Sequence, residues 1–332
     1  LMQELSAINK SRSFFASILG NNKEFRKVIQ LAKDMAPSNL NILIRGESGT
    51  GKELFARAIH MASGREGYFV PINCSAIPNE LIESELFGYS PGAFTGALKE
   101  GRIGKIELSH KGTLFLDEIG DMPLNMQPKI LRVLEDGEVT RVGSTKSVKV
   151  DIRVIAATNR DLKKMVEEGT FRKDLYYRLN SVIINIPPLR ERKDDIPFLA
   201  NRFVQDYCME YGVNILSLSP EVLEAFKNYD WEGNVRELKN VIEGLVVLAR
   251  NNNRNIIDID LLPENIIKKS TLKTKEKRNP YDLNAIISEV EKATIIKALE
   301  ASGYNKKQAA KLLNIPRSTL YFKMDKYNIK DV

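Results

Sequence analysis

Over the first half of the chain, short apolar runs alternate with segments of helical period. Leu40–Ile44, Phe69–Asn73, Leu114–Leu116, Asp151–Ala157 and Val182–Ile186 are apolar or β-branched and predict strands. Apolar strands separated by helices predict a parallel sheet covered on both faces, with a ligand site at the carboxyl ends of the strands. Ahead of the first strand, Glu24–Met35 predicts a helix. Ala36-Pro37-Ser38 ends it, because a residue before proline avoids the helical region.

Pro187-Pro188 breaks the alternation. Beyond it, Ile196–Tyr211, Pro220–Asn228 and Val235–Arg250 predict helices, and Asp258–Pro263 closes a small all-helical unit. The polar, basic stretch 268–281 predicts a linker. Residues 282–332 predict a last helical module. Its helices are Val290–Ser302, Asn305–Leu313 and one begun by Pro316, whose missing N–H suits a first helical position. Leu1, Leu5 and Ile8 are spaced like the end of an upstream linker helix over 1–12. Because the chain opens on Leu1, a preceding regulatory domain is expected. The expected division is therefore 1–12, 13–187, 188–267, 268–281 and 282–332.

Composition adds a partner to this picture. The net charge is +7, but residues 268–332 hold 15 basic against 7 acidic residues, while the remainder is near neutral. A basic module on a neutral body points to nucleic acid, a solvated tail being the plainer alternative. No apolar run approaches the ~18 residues of a membrane span, and no signal peptide is evident, so a cytoplasmic protein is expected. Cys74 and Cys208 lack metal-ligand spacing and read as packed thiols. His60 and His110 read as structural.

The strongest chemical signal is Gly46-Glu47-Ser48-Gly49-Thr50-Gly51-Lys52-Glu53, which lies between a predicted strand and a predicted helix. That context is a phosphate-binding loop. Its glycines let backbone N–H groups converge on an anion, the helix N-terminus favours negative charge, and Lys52 can reach β- and γ-phosphates. Glu53 replaces the hydroxyl residue that usually helps to hold Mg²⁺, so another carboxylate must carry the metal. Asp117 and Glu118, at the end of the strand run Gly112-Thr113-Leu114-Phe115-Leu116, supply that chemistry. Neighbouring side chains leave a strand in opposite directions, so Asp117 can hold Mg²⁺ while Glu118 polarises the attacking water.

With these motifs the chain resembles the AAA+ ATPases that activate bacterial sigma-54 RNA polymerase, from about Phe14 to the C-terminus. The most specific element is Gly92-Ala93-Phe94-Thr95-Gly96-Ala97, following Glu85-Leu86-Phe87-Gly88-Tyr89-Ser90-Pro91. Read physically, two glycines flank a small segment that presents an aromatic, a design for a mobile loop. The resemblance implies that this loop contacts sigma-54, with Phe94 and Thr95 as contact residues and Arg141-Val142-Gly143 as a supporting second loop. It further implies that Asn73 hydrogen-bonds the catalytic Glu118, and that Asn159, after Thr158, senses the γ-phosphate. Arg172 and Arg178 become arginine fingers acting across a subunit boundary, and Arg236 becomes a lid residue reaching the nucleotide. Where Glu232 stands the family usually has proline, whose absence is expected to loosen the lid. The lone Trp231 reads as a packing anchor.

The tail resembles the family's Fis-type helix-turn-helix. On that resemblance Lys306, Lys307, Arg317, Ser318, Thr319, Tyr321 and Lys323 face DNA bases or phosphates. The expected architecture is an α/β AAA+ P-loop NTPase with a parallel five-stranded sheet, an all-α lid and a C-terminal helix-turn-helix. The expected cofactors are ATP and Mg²⁺. The expected partners are sigma-54 holoenzyme, upstream double-stranded DNA and further copies of the chain, as a hexamer built from dimers, with no membrane. Two other readings stay open at this point: a remodelling ATPase acting on a different protein, and a DNA-binding regulator of another sigma factor or with a vestigial core.

Overall fold

A computed structural model describes residues 14–93, 100–268, 283–327 and 329. The expected helix over 1–12 lies outside the described residues, as does the expected linker 268–281 from residue 269 on; Lys268 itself ends a helical turn. Contacts divide the chain into two units, 1–267 and 268–332.

The first unit is built on five parallel strands: β1 (Ile42–Arg45), β2 (Phe69–Asn73), β3 (Thr113–Asp117), β4 (Arg153–Thr158) and β5 (Val182–Asn185), in the order β2-β3-β4-β1-β5. All six residues of β4 are buried, as expected for a strand covered on both faces. Alternate side chains feed two separate cores. Leu43, Leu114, Leu116, Val154 and Ala156 pack with Ile130 and Val133 of helix Gln127–Asp136 and with Leu175 and Leu179. Ile42, Ile44, Phe115, Ile155, Ala157 and Ile184 pack with Phe25 and Ala32 of α1 (Lys23–Met35) and with Phe55 and Ile59 of α2 (Lys52–Ala62). Helix α1 starts one residue before its expected position because Asn22 caps it, its side chain accepting the N–H groups of Glu24 at 3.0 Å and Phe25 at 3.1 Å.

The lid consists of helices Ile196–Glu210, Pro220–Asn228 and Asn234–Asn251 around a core that includes Leu199, Phe226, Trp231, Leu238 and Leu245. Trp231 is fully buried, its Nε1 donating to the Phe226 carbonyl at 2.8 Å and its ring lying edge-on to Phe226 and Tyr229. That is the packing role expected of it.

In the second unit a helix spans Leu283–Ala301, seven residues longer at its start than the expected Val290–Ser302. Lys306–Leu312 and Arg317–Lys326 follow, and Ile295, Leu299, Ala309, Ala310, Leu320 and Met324 form their shared core. Asn314 turns the chain at φ +51°, a left-handed conformation that asparagine accepts readily. Pro316 takes the capping position before the last helix, with extended backbone, instead of the first helical position.

Candidate nucleotide site

The site forms where the sheet order reverses around β1, at the carboxyl ends of β1, β3 and β4. The Gly46 N–H donates to the Thr158 carbonyl at 3.2 Å, which ties the loop to the end of β4. Gly49 (φ +77°) and Gly51 (φ +100°) take left-handed backbone that L side chains rarely adopt. At Gly49 a Cβ would also meet the Gly233 carbonyl at 2.2 Å, so the loop and the lid can touch only because this residue has no side chain.

Lys52 opens α2 and is 7% exposed. Its Nζ donates to the Gly46 carbonyl at 3.0 Å, the Glu47 carbonyl at 3.4 Å and Glu118 Oε1 at 3.1 Å. Glu118 Oε2 accepts the backbone N–H of Asn159 at 3.2 Å. Glu118 itself stands at φ +49°, unusual for a residue with a side chain and typical of strain kept at a working site. The strand ends at Asp117, so this left-handed turn, and not the alternation of a strand, sets the direction of the Glu118 side chain. Asp117 Oδ1 accepts the Glu118 N–H at 3.1 Å, and the Asp117 carboxyl titrates above the usual carboxylate range because of burial first and the Glu118 charge second.

A Mg²⁺ ion fits this donor set. Asp117 offers hard oxygen donors in surroundings where a nearby positive charge would relieve the strain on its ionised form. Among the described residues no three His, Cys, Asp or Glu side chains converge as a preformed metal cage. That suits a cation held by one carboxylate together with substrate phosphates. Glu53 is turned outward and pairs with Arg57 at 2.6 Å.

One expected contact differs from what the structure holds. Asn73 lies in register with Asp117, yet its Oδ1 accepts from the Ser75 N–H at 3.0 Å and the Ser75 hydroxyl at 2.7 Å, and does not bond Glu118. The short Asn-Cys-Ser turn gives that side chain a local partner, so Lys52 and Asn159 hold Glu118 in its place. Asn159, expected to sense the γ-phosphate, stands at the site and meets Glu118 through its backbone N–H.

Neither expected arginine finger touches the phosphate loop of its own chain. Arg172 makes a two-bond pair with Asp174 at 3.1 and 2.6 Å, and is 44% exposed. Arg178 donates from Nε and Nη2 to the Leu134 carbonyl at 3.3 and 2.8 Å. Arg236 does approach the loop, its Nη1 donating to Ser48 Oγ at 3.3 Å.

Sequence reasoning missed two residues at the site, Arg190 and Asn234. Arg190 pairs in two bonds with Glu47, and buried Asn234 donates to both Glu47 and the Ser48 carbonyl. The turn before Asn234 closes without the proline usual at position 232, through an Asn234 N–H bond to the Trp231 carbonyl at 2.7 Å. The available signal was a Gly-Asn pair just ahead of a helix, the mark of a left-handed turn residue. Its partners could not be read from spacing.

At the expected sigma-54 loop, Gly92 turns at φ +73°, while Phe94, Thr95, Gly96 and Ala97 lie outside the described residues. The base of the loop is held by the second expected loop: Ser90 N–H donates to the Val142 carbonyl at 2.9 Å, and Val142 N–H to the Gly88 carbonyl at 3.0 Å. In the second unit, Lys306 and Arg317 flank the Tyr321 ring at 5.3 and 5.8 Å from its centroid. Lys307, Arg317 and Ser318 are exposed and Thr319 half-buried. Lys323 is paired with Glu291 at 2.7 Å, and the Tyr327 hydroxyl donates to the same carboxylate at 2.6 Å. Those partners hold the Glu291 carboxyl below the usual glutamate range, Lys323 first.

Residues 18–185 match the sigma-54 interaction domain, residues 190–279 the AAA+ ATPase lid domain, and residues 286–327 the Fis family of bacterial regulatory proteins. A signal-transduction and transcriptional-control protein of Clostridium beijerinckii is 46% identical over 325 residues, 97% of this chain and 50% of the relative. Regulatory protein AtoC of Escherichia coli K12 is 45% identical over 316 residues, 94% of this chain and 68% of the relative. The chain thus spans about half the length of several curated relatives it matches. Among solved structures, NtrX from Brucella abortus in complex with ATP aligns with TM-score 0.70 and 34% identity, covering 99% of this chain and 72% of that one. With its sheet order, loop and lid in place, and with half the chain matching the sigma-54 interaction domain, this chain belongs to the family of sigma-54-dependent AAA+ transcriptional activators.

Proposed function

We propose that this chain hydrolyses ATP between subunits of a ring, a hexamer built from dimers, and uses the cycle to convert sigma-54 RNA polymerase closed complexes into open ones. One observation carries the chemistry: Lys52, in the phosphate loop, is paired with Glu118, which stands beside Asp117 at the end of β3. Bound ATP would supply the phosphoryl group, with Mg²⁺ held by Asp117 offsetting its negative charge. Lys52 then exchanges its bonds to Gly46 and Glu118 for phosphate oxygens. Glu118 Oε1, released from Lys52, accepts a proton from the attacking water, while the Asn159 N–H keeps the carboxylate oriented through Oε2. Arg236 approaches the phosphates from the lid. Arg172 and Arg178, which make no contact with the loop of their own chain, act on the nucleotide of the adjacent subunit.

Residues Gly92 to Ala97 deliver the output to sigma-54, and the module carrying Lys306, Lys307, Arg317, Ser318, Thr319, Tyr321 and Lys323 holds the assembly on upstream DNA. The ATP complex of NtrX and the match to the sigma-54 interaction domain support this reading. Reconstituted transcription from a sigma-54 promoter tests it. Thr95→Ala should retain ATPase activity and lose activation, and activation at the wild-type level would refute the assigned contact loop.

A further inference from the structure

Glu47 is the second residue of the phosphate loop, yet its carboxylate faces the lid. It accepts Arg190 Nη1 at 2.7 Å, Arg190 Nη2 at 2.6 Å and Asn234 Nδ2 at 3.2 Å. Asn234 is fully buried at φ +53° and works in both directions. Its Nδ2 also donates to the Ser48 carbonyl at 2.9 Å, and its Oδ1 accepts the Leu189 N–H at 2.8 Å. The next two backbone N–H groups, of Val235 and Arg236, donate to the Gly49 carbonyl at 3.1 and 3.3 Å. The carbonyls of Ser48 and Gly49 therefore both end on the lid.

A trans peptide is planar, with its C=O and N–H pointing in opposite directions. Fixing the Ser48 and Gly49 carbonyls on the lid therefore turns the Gly49 and Thr50 N–H groups away from it, toward the inside of the loop. The Thr50 N–H does point at the Glu47 carbonyl, at 3.4 Å, the same oxygen that Lys52 Nζ reaches. These inward amides are the groups that would bind phosphate.

We infer that Asn234, with the Glu47–Arg190 pair, is a positioning element: it sets the phosphate-binding orientation of the loop amides, so that phosphate affinity depends on how the lid is docked. The inference rests on reading the loop as a nucleotide site. It separates two contributions that a bound nucleotide would otherwise report together, phosphate recognition by the amides and base recognition elsewhere.

The test compares ADP and adenosine binding to the whole chain by calorimetry and competition. Asn234→Ala and Glu47→Gln should weaken ADP by about tenfold while adenosine changes by less than about twofold. Thermal unfolding run in parallel reports whether the lid core is intact. Should Asn234→Ala fail to fold, Arg190→Lys carries the same test, because it keeps the charge and loses the two-bond fork. Unchanged ADP affinity, or equal losses for ADP and adenosine, overturns the inference, since a purely structural lid contact would not single out the phosphates. A wild-type chain that binds ADP no more tightly than adenosine overturns the nucleotide-site reading and this inference with it.

Discussion

Lys52 Nζ and Glu118 Oε1 lie 3.1 Å apart, joining the phosphate loop to the end of β3 through a pair whose side chains are only 7% and 17% exposed. Removing one member leaves the other poorly solvated and without its counter-charge. Lys52→Ala should abolish tight ATP binding and also lower the unfolding free energy by about 1–3 kcal/mol. Nucleotide titration with denaturant unfolding checks both, and retained tight ATP binding would refute the loop assignment.

Arg172 and Arg178 bond within their own surface and not to their own phosphate loop. Arg172→Ala and Arg178→Ala should each lower ATP turnover by about 10³-fold or more. If they act across a subunit boundary, mixing inactive Arg172→Ala with inactive Lys52→Ala should restore part of the ATPase rate. The restored sites would join an intact loop from one chain to an intact arginine from the other. A mixture as inactive as its components would show that the arginines act in some other way.

The Lys323–Glu291 pair sets an order among the basic residues of the second unit. Arg317→Ala should reduce the salt slope of DNA binding by about one charge, and Lys323→Ala by less, because Lys323 already has an internal partner. Glu291→Gln should raise the slope by releasing Lys323. Equal slopes for the Arg317 and Lys323 variants in binding titrations at several salt concentrations would contradict this order.

His60 gives a pH dependence with a fixed sign. Burial, then the charges of Arg65, Arg153 and Arg57, holds its ring below the usual histidine range, and Nδ1 lies 2.9 Å from Thr113 Oγ1. The unfolded chain therefore binds the proton more readily than the folded one, so stability is full above the ordinary histidine value near ~6.5 and falls as the pH drops below it. Melting temperature should decline more steeply between about pH 7 and 5 for the wild type than for His60→Gln. Parallel curves would show that His60 does not titrate against the fold.

The parts legible in the sequence were those with local causes. The five strands and the lid helices announced themselves by periodicity, and the loop Gly46–Glu53 by its setting between β1 and α2. Local capping explains the small shifts at Asn22 and Pro316. The Leu283 start of the first tail helix was hidden because the polar residues Asn284 and Ser288 interrupt the apolar pattern. What could not be read were pairings across large separations: Arg190 meets Glu47 from 143 positions away, and Asn234 from 187. Nor could the sequence show that Asn73 would find Ser75, two residues on, before Glu118. Spacing specifies a loop, while side-chain partners depend on how the chain closes around it.

Open-complex formation by Glu118→Gln tests the central claim most directly. The substitution keeps the shape and one hydrogen-bond acceptor but removes the carboxylate proposed to take the proton from water. On a sigma-54 promoter, with ATP and DNA sites present, the variant should bind ATP, hydrolyse it at least about 10²-fold more slowly, and leave the promoter DNA closed. ATP hydrolysis and promoter opening at the wild-type rate would contradict the account.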